Sequence, residues 1–163
     1  MRISWDEFWF LQAMVYSTRG TCDRLRAGCV IVKNNRLVGA GYNGAPRGLP
    51  HCDEVGHLII SNHCERTLHG EENAVLNAER QNLEGATAYA LGTPCLRCIR
   101  LMINAGVKKI CHLGTYENAL GKEYIEEMAA KSGVELKQFL FQPAELWQKA
   151  EKFLKDNGGI LRN

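Results

Sequence analysis

Long apolar runs are missing from this chain of 163 residues. No stretch approaches the ~20 residues that cross a bilayer, so no membrane-spanning helix is expected. A secretory leader is not expected either, because Met1–Trp5 holds one arginine and Asp6 and Glu7 follow at once. A basic stripe is lacking as well: the net charge is +2, from 20 Lys and Arg against 18 Asp and Glu, which speaks against a nucleic-acid track. There is no internal repeat, no low-complexity segment and no linker that would mark off a second domain. The expectation is one domain over residues 1–163, located in the cytoplasm. In that setting the seven cysteines read as ligands and core fillers rather than disulfides.

What is present centres on His69-Gly70-Glu71 and, further on, Pro94-Cys95-Leu96-Arg97-Cys98. Two thiolates and one imidazole suit zinc. Cys95 and Cys98, at i and i+3, share a helix face. Pro94 fits the start of that helix, whose positive dipole end favours both thiolates. His69 opens a second helix, expected to run through Glu71–Arg80. Three protein ligands leave a fourth position for water, and bound zinc brings the pKa of that water toward neutrality. Glu71, two residues past the imidazole, is placed to carry protons. The spacing H-x-E…P-C-x-x-C is the zinc deaminase signature. A structural zinc or a redox Cys-x-x-Cys is the plainer alternative, but a structural site normally has four protein ligands and no use for that carboxylate.

Around this centre the pattern predicts an α/β fold. Ser4-Trp5-Asp6-Glu7 is a capping box that starts a helix to Ser17 or Thr18. Its Trp5, Phe8, Trp9, Phe10, Leu11, Met14 and Val15 cover more than one stripe, which predicts burial against a sheet and against another subunit. Ala27–Lys33 and Leu37–Tyr42 flank an Asn34-Asn35 turn and read as a hairpin. Gly41-Tyr42-Asn43-Gly44 is a ligand loop or a plain turn. Leu49 to Leu68 is irregular and holds His51, Cys52, His57, His63 and Cys64. A second, structural zinc on Cys22, Cys52, Cys64 and one histidine would give that loop a reason; the alternative is scattered, unligated residues. Strands follow at Ala86–Leu91, at Lys108–Leu113 (with His112 a satisfied strand-end histidine) and at Val134–Phe139. Helices run from Cys95 to near Gly106 and over Lys122–Ser132, where Ile125, Met128 and Ala129 share a face and Gly133 caps. A last helix runs from Pro143 to Asn157-Gly158 with Leu146, Ala150, Phe153 and Leu154 inward. The sum is a three-layer α/β/α sandwich around a five-stranded mixed sheet.

Several stretches together carry a resemblance. They are Arg19-Gly20-Thr21-Cys22, Gly28-Cys29-Val30-Ile31-Val32, Gly41-Tyr42-Asn43-Gly44-Ala45-Pro46, Leu49-Pro50-His51-Cys52-Asp53-Glu54, His69-Gly70-Glu71-Glu72-Asn73-Ala74 and Pro94-Cys95-Leu96-Arg97-Cys98. From the first helix to about Tyr116 the chain resembles the deoxycytidylate deaminase family, most closely its bacterial and phage members, including the competence-operon type. The resemblance implies a cytidine deaminase-like fold and zinc-dependent hydrolysis of dCMP to dUMP and ammonia. By position it implies zinc on His69, Cys95 and Cys98 and proton transfer by Glu71. It further implies a hydrogen bond from Asn43 to the sugar, the Gly70 N–H facing the pyrimidine carbonyl, and Tyr116 shaping the pocket. Arg80, expected at the end of the zinc helix, matches a position tied to the subunit interface and to regulation. Cys22 and Cys52 match ligands of an extra structural zinc in some phage members. Homo-oligomers from dimer to hexamer and dCTP or dTTP as effectors are implied too.

One residue departs from the family. Gly70 stands where alanine is usual, which leads to the expectation of a wider or more mobile pocket open to a 5-substituted or different base. Arg24, Arg26 and Lys33 form a loose basic cluster, and Arg26 and Arg47 are the candidates for the substrate phosphate. Two other functions stay in view. One is a deaminase of a nucleoside, guanine or tRNA adenosine; the other is a non-enzymatic zinc domain that senses nucleotides. The low charge argues against tRNA and Glu71 argues against the sensor.

Overall fold

The computed structural model describes residues 2–114 and 121–156. Its sheet follows from strands that are apolar on both faces. In Gly28–Lys33 (β1), Cys29 and Ile31 pack into one core, while Val30 and Val32 pack into the other. Successive side chains of a strand point to opposite faces, so such a strand needs cover on both. β1 pairs antiparallel with Arg36–Tyr42 (β2) across the Asn34-Asn35 turn, where both residues have positive φ. On its other side β1 pairs antiparallel with Thr87–Ala90 (β3). Lys109–Leu113 (β4) and Glu135–Phe139 (β5) then add in parallel. The order across the sheet is β2-β1-β3-β4-β5.

One face carries Trp5–Ser17 (α1) and Pro143–Asp156 (α2). Phe10, fully buried, meets Tyr89, Phe139 and Phe141 edge-on there. Ser4 caps α1 as the spacing predicts: its hydroxyl accepts from the Glu7 N–H at 3.3 Å, and its own N–H donates to the Glu7 carboxylate at 2.7 Å. Gly70–Leu76 (α3), Leu96–Asn104 (α4) and Lys122–Lys131 (α5) cover the opposite face around Ile99, Met102, Ile110, Ile125 and Ala129. This is the expected three-layer α/β/α sandwich with a mixed five-stranded sheet.

Two features seat α3. A Cβ on Gly41 would lie 2.3 Å from the Ala74 nitrogen, so only glycine lets the helix settle on β2 at that point. Asn73 and Asn77 then donate their side-chain N–H groups to the Tyr42 and Ala40 carbonyls at 2.8 and 3.0 Å. Asn77 is the C-cap, so α3 stops at Leu76 instead of running to Arg80, and Arg80 opens a separate short helix, Arg80–Leu83. Two smaller expectations also shift. Leu154 is 39% exposed rather than inward, and Trp5 and Val15 on α1 are exposed in this chain while Trp9, Phe10, Leu11 and Met14 are buried. Asn157 and Gly158 lie outside the described residues.

The stretch expected to be irregular contains a short helix, Cys52–Val55, and a two-stranded ribbon, Ile59–Ile60 with His63–Cys64. Ser61 and Asn62 turn the ribbon with positive φ. Among the described residues no helix is long and apolar enough to cross a membrane.

Candidate active site

His69 is the N-cap of α3 and Cys95 the N-cap of α4. Each stands where a loop enters a helix, and Cys98 follows, fully buried, in the first turn of α4. The two helix starts converge. His69 Nδ1 lies 3.5 Å from Cys95 Sγ and 3.4 Å from Cys98 Sγ, and the sulfurs are 3.5 Å apart. Tetrahedral bonds of about 2.3 Å to sulfur and about 2.0 Å to nitrogen give edges of roughly 3.5–3.8 Å. The three donors therefore fit one zinc ion. Among the described residues no fourth His, Cys or carboxylate donor joins them, so the cluster offers three side-chain donors.

The hydrogen-bonded thiol pair is strongly polarised. Its link to Cys98, and then to His69, brings the Cys95 thiol down to about 3. The same link, with burial, pushes Cys98 up. A cation shared by both sulfurs displaces the protons held between them. Glu71 is 7% exposed and faces the same cavity. Burial raises its carboxyl above the ordinary carboxylate value, against the pull of His69. A buried carboxyl that faces the cavity in this way is placed to take and return protons.

A bridge that sequence reasoning missed ties these helices together. The Glu72 carboxylate accepts from the His69 N–H at 2.8 Å and from the Arg97 guanidinium at 3.0 Å. Arg97 reaches Glu65 as well, at 3.3 Å. The three-residue step from His69 to Glu72, a capping-box spacing, is the signal that could have found it.

The cavity beside the three ligands measures about 130 Å³. That is the same order as the engineered apolar cavity of about 150 Å³ that holds benzene, the scale of a single ring. Asn43 forms part of the wall and is buried. Its Oδ1 accepts from the Ala27 N–H at 2.6 Å, which leaves the amide N–H donors for a ligand. Gly70 behaves differently from expectation. A Cβ there would meet the Ala27 oxygen at 3.2 Å, Gly28 Cα at 3.3 Å and the Cys29 nitrogen at 3.4 Å. The missing methyl thus faces the β1 backbone and widens no pocket. Among the basic residues Arg24 and His63 line the cavity, while Arg26 and Arg47 do not. Arg80 is exposed and outside the lining as well. Tyr116 lies outside the described residues. His112 is buried behind Thr93, 3.5 Å from its hydroxyl, and belongs to neither group of metal-ligating side chains.

A second group gathers Cys22, Cys52, His57 and Cys64. Cys52 and Cys64 Sγ are 3.6 Å apart, and His57 Nδ1 lies 3.7 Å from Cys22 and 3.6 Å from Cys64. These edges again match a tetrahedral zinc, now with four protein ligands. The other ring nitrogen of His57 meets Asp23 at 3.0 Å, the arrangement that orients metal-bound imidazoles. The histidine left open by the sequence is therefore His57. His51 is engaged elsewhere, since its Nδ1 accepts from the Ala45 N–H at 3.2 Å. Against burial, the Arg66 amide and His57 lower the Cys64 thiol to about 6; burial and the bond with Cys64 raise Cys52 to about 12.

Comparison with known proteins agrees with this geometry. Residues 3–113 match the family described as the cytidine and deoxycytidylate deaminase zinc-binding region. ComE operon protein 2 of Bacillus subtilis is 35% identical over 139 residues, covering 84% of this chain and 72% of that protein. The deoxycytidylate deaminase of Schizosaccharomyces pombe is 32% identical over 148 residues; the match covers 85% of this chain and 45% of the longer relative. A crystal structure of the dCMP deaminase from cyanophage S-TIM5, in complex with dCMP and dUMP, superposes with a TM-score of 0.70 at 23% identity, covering 85% of this chain and 99% of that one. With a family match from residue 3 to residue 113 and a fold that agrees, the chain belongs to the cytidine and deoxycytidylate deaminase family and is a zinc-dependent deaminase.

Proposed function

We propose that the chain, acting as one domain, hydrolyses dCMP to dUMP and ammonia. The observation that carries this reading is a three-ligand cluster beside a buried carboxyl, in a cavity whose rim bears Arg24 and His63. The relatives named deoxycytidylate deaminase and the cyanophage complex with dCMP and dUMP support the substrate.

In this reading His69, Cys95 and Cys98 hold the catalytic zinc. When bound, the ion lowers the pKa of a water molecule toward neutrality and so supplies a nucleophile. Glu71 would accept a proton from the attacking water and pass it to the ring nitrogen next to C4. It would then move the proton of the new C4 hydroxyl to the leaving amine, so that one C–O bond forms, one C–N bond breaks, the carbonyl of uracil remains and ammonia departs. Asn43 donates to a sugar hydroxyl. Arg24 and His63 face the phosphate, in place of the Arg26 and Arg47 suggested by the sequence. Cys22, Cys52, His57 and Cys64 hold a second, structural zinc. That none of the seven cysteines is in a disulfide accords with a reducing cytoplasm.

The test is ammonia release and ultraviolet change with zinc-replete protein on dCMP, deoxycytidine, dCTP and guanine. Turnover of dCMP with much lower kcat/KM for deoxycytidine is expected. Silence on every cytosine mononucleotide would overturn the reading.

A further inference from the structure

The ribbon segment is a poor candidate for holding itself together. Its helix has four residues and its two strands have two each. Leu49, Val55, Leu58, Ile59 and Ile60 are all roughly half exposed, so the segment buries little apolar surface. A two-stranded hairpin of this size is not stable alone in water. Apart from a few hydrogen bonds, among them those of His51 and Asn62, what ties it to the rest of the chain is the four-ligand cluster. Cys52, His57 and Cys64 come from the segment, and Cys22 comes from the loop between α1 and β1.

The same two pieces of chain make one wall of the catalytic cavity. Cys22, Arg24 and Leu25 line it from the loop, and Asn62, His63 and Cys64 line it from the ribbon. Arg24 donates to the Asn62 carbonyl at 2.9 Å, across the seam between them. Arg24 lies two residues from one ligand, and His63 is adjacent to another. Neither side chain is fixed by a core: both are exposed.

We propose that the metal held by Cys22, Cys52, His57 and Cys64 assembles the anion-binding rim of the active site, so that its occupancy sets recognition of the substrate phosphate. The inference rests on the readings of a second zinc and of a monophosphate substrate. With the ion in place, the Arg24 guanidinium and the His63 ring N–H form a two-donor receptor at a fixed distance from the pyrimidine end of the cavity. Without it, the ribbon and the loop part, and the receptor is lost while His69, Glu71, Cys95 and Cys98 stay on α3 and α4, which are anchored in the main core. The closed cluster is then a specificity element in addition to a stabilising one.

The test pairs metal content with kinetics on full-length protein. The wild type should carry two zinc ions per chain and His57→Ala one. His57→Ala should raise KM for dCMP by about tenfold to a hundredfold, the range of charged hydrogen bonds. Its kcat, and its kcat/KM for deoxycytidine, should stay near the wild-type values. Limited proteolysis should cut between residues 52 and 64 only in the variant. His57→Cys, which restores a four-ligand set, should recover both the second zinc and the low KM. If His57→Ala does not fold, Asp23→Asn takes its place, and KM for dCMP should follow second-zinc occupancy in a graded chelator titration. One zinc in the wild type would overturn the second-metal reading and this inference with it. A wild type that treats dCMP and deoxycytidine alike would overturn the monophosphate reading. Loss of one zinc with KM for dCMP unchanged, or with both substrates impaired equally, would overturn the coupling alone.

Discussion

Two clusters of cysteine and histidine sit in this molecule, and they are built in opposite ways. His69, Cys95 and Cys98 stand on two helix starts whose helices pack into the main core. Cys22, Cys52, His57 and Cys64 lie in short or irregular segments with little core of their own. The first cluster has three side-chain ligands and a buried carboxyl beside it; the second has four, with an exposed carboxylate behind its histidine. Where the fold already fixes the donors, a bound metal would be free to do chemistry; where it does not, a bound metal would supply the fixing.

The sharpest way to separate the two roles is Glu71→Gln. It should lower kcat by about 10³-fold, within the usual range for general acid–base groups, with zinc content unchanged. Ammonia release and metal analysis on one preparation would show this; a loss under tenfold would remove Glu71 from the chemistry. Cys52→Ser acts on the other side of the comparison. It should lower stability by about 2 kcal/mol, a fall in melting temperature of roughly 4–8 °C. A melting curve identical to the wild type would mean that the closed cluster stabilises nothing.

A pH profile sharpens the comparison further. Burial raises the Glu71 carboxyl above 4.5, and a group that accepts a proton must start ionised. Activity should therefore fall as pH drops through a value higher than 4.5, and kcat/KM against pH locates that limb. The smallest effect belongs to Gly70→Ala. An added methyl meets the β1 backbone at 3.2–3.4 Å, so stability should change by no more than about 1 kcal/mol. The ratio of kcat/KM for dCMP to that for its 5-methyl form should hold. A clear shift in that ratio would return Gly70 to the pocket.

The contrast also explains what the sequence could reveal. Glu71 and the three ligands of the first cluster are short-range signals: an i, i+2 pair and a Pro-Cys-x-x-Cys helix start, each set by local geometry. The layers were legible because β1 is apolar on both faces and α1 announces itself with a capping box. His57 was not legible. Three histidines and two cysteines crowd residues 51–64 without helical or strand period, and only the ribbon's turn at Ser61-Asn62 and the Asp23 contact single one out. Arg24 and Arg26 are two residues apart in a loop, where no periodicity says which faces the cavity. α3 ends at Leu76 and its cap Asn77 bonds Ala40, on a strand far off in sequence, a contact that no local pattern announces.

Placing a ligand at the first position of a helix has a consequence for how the chain tolerates change in length. The imidazole and the thiolates take their places from the chain coming in, so residues added behind the far ends of α3 and α4 leave those places unchanged. The entering loops at residues 65–68 and 91–94 have no such freedom: one inserted residue there would rotate or retract a donor. Length variation among natural or engineered versions of this chain should therefore collect behind Leu76 and Asn104 and be absent from those two approaches.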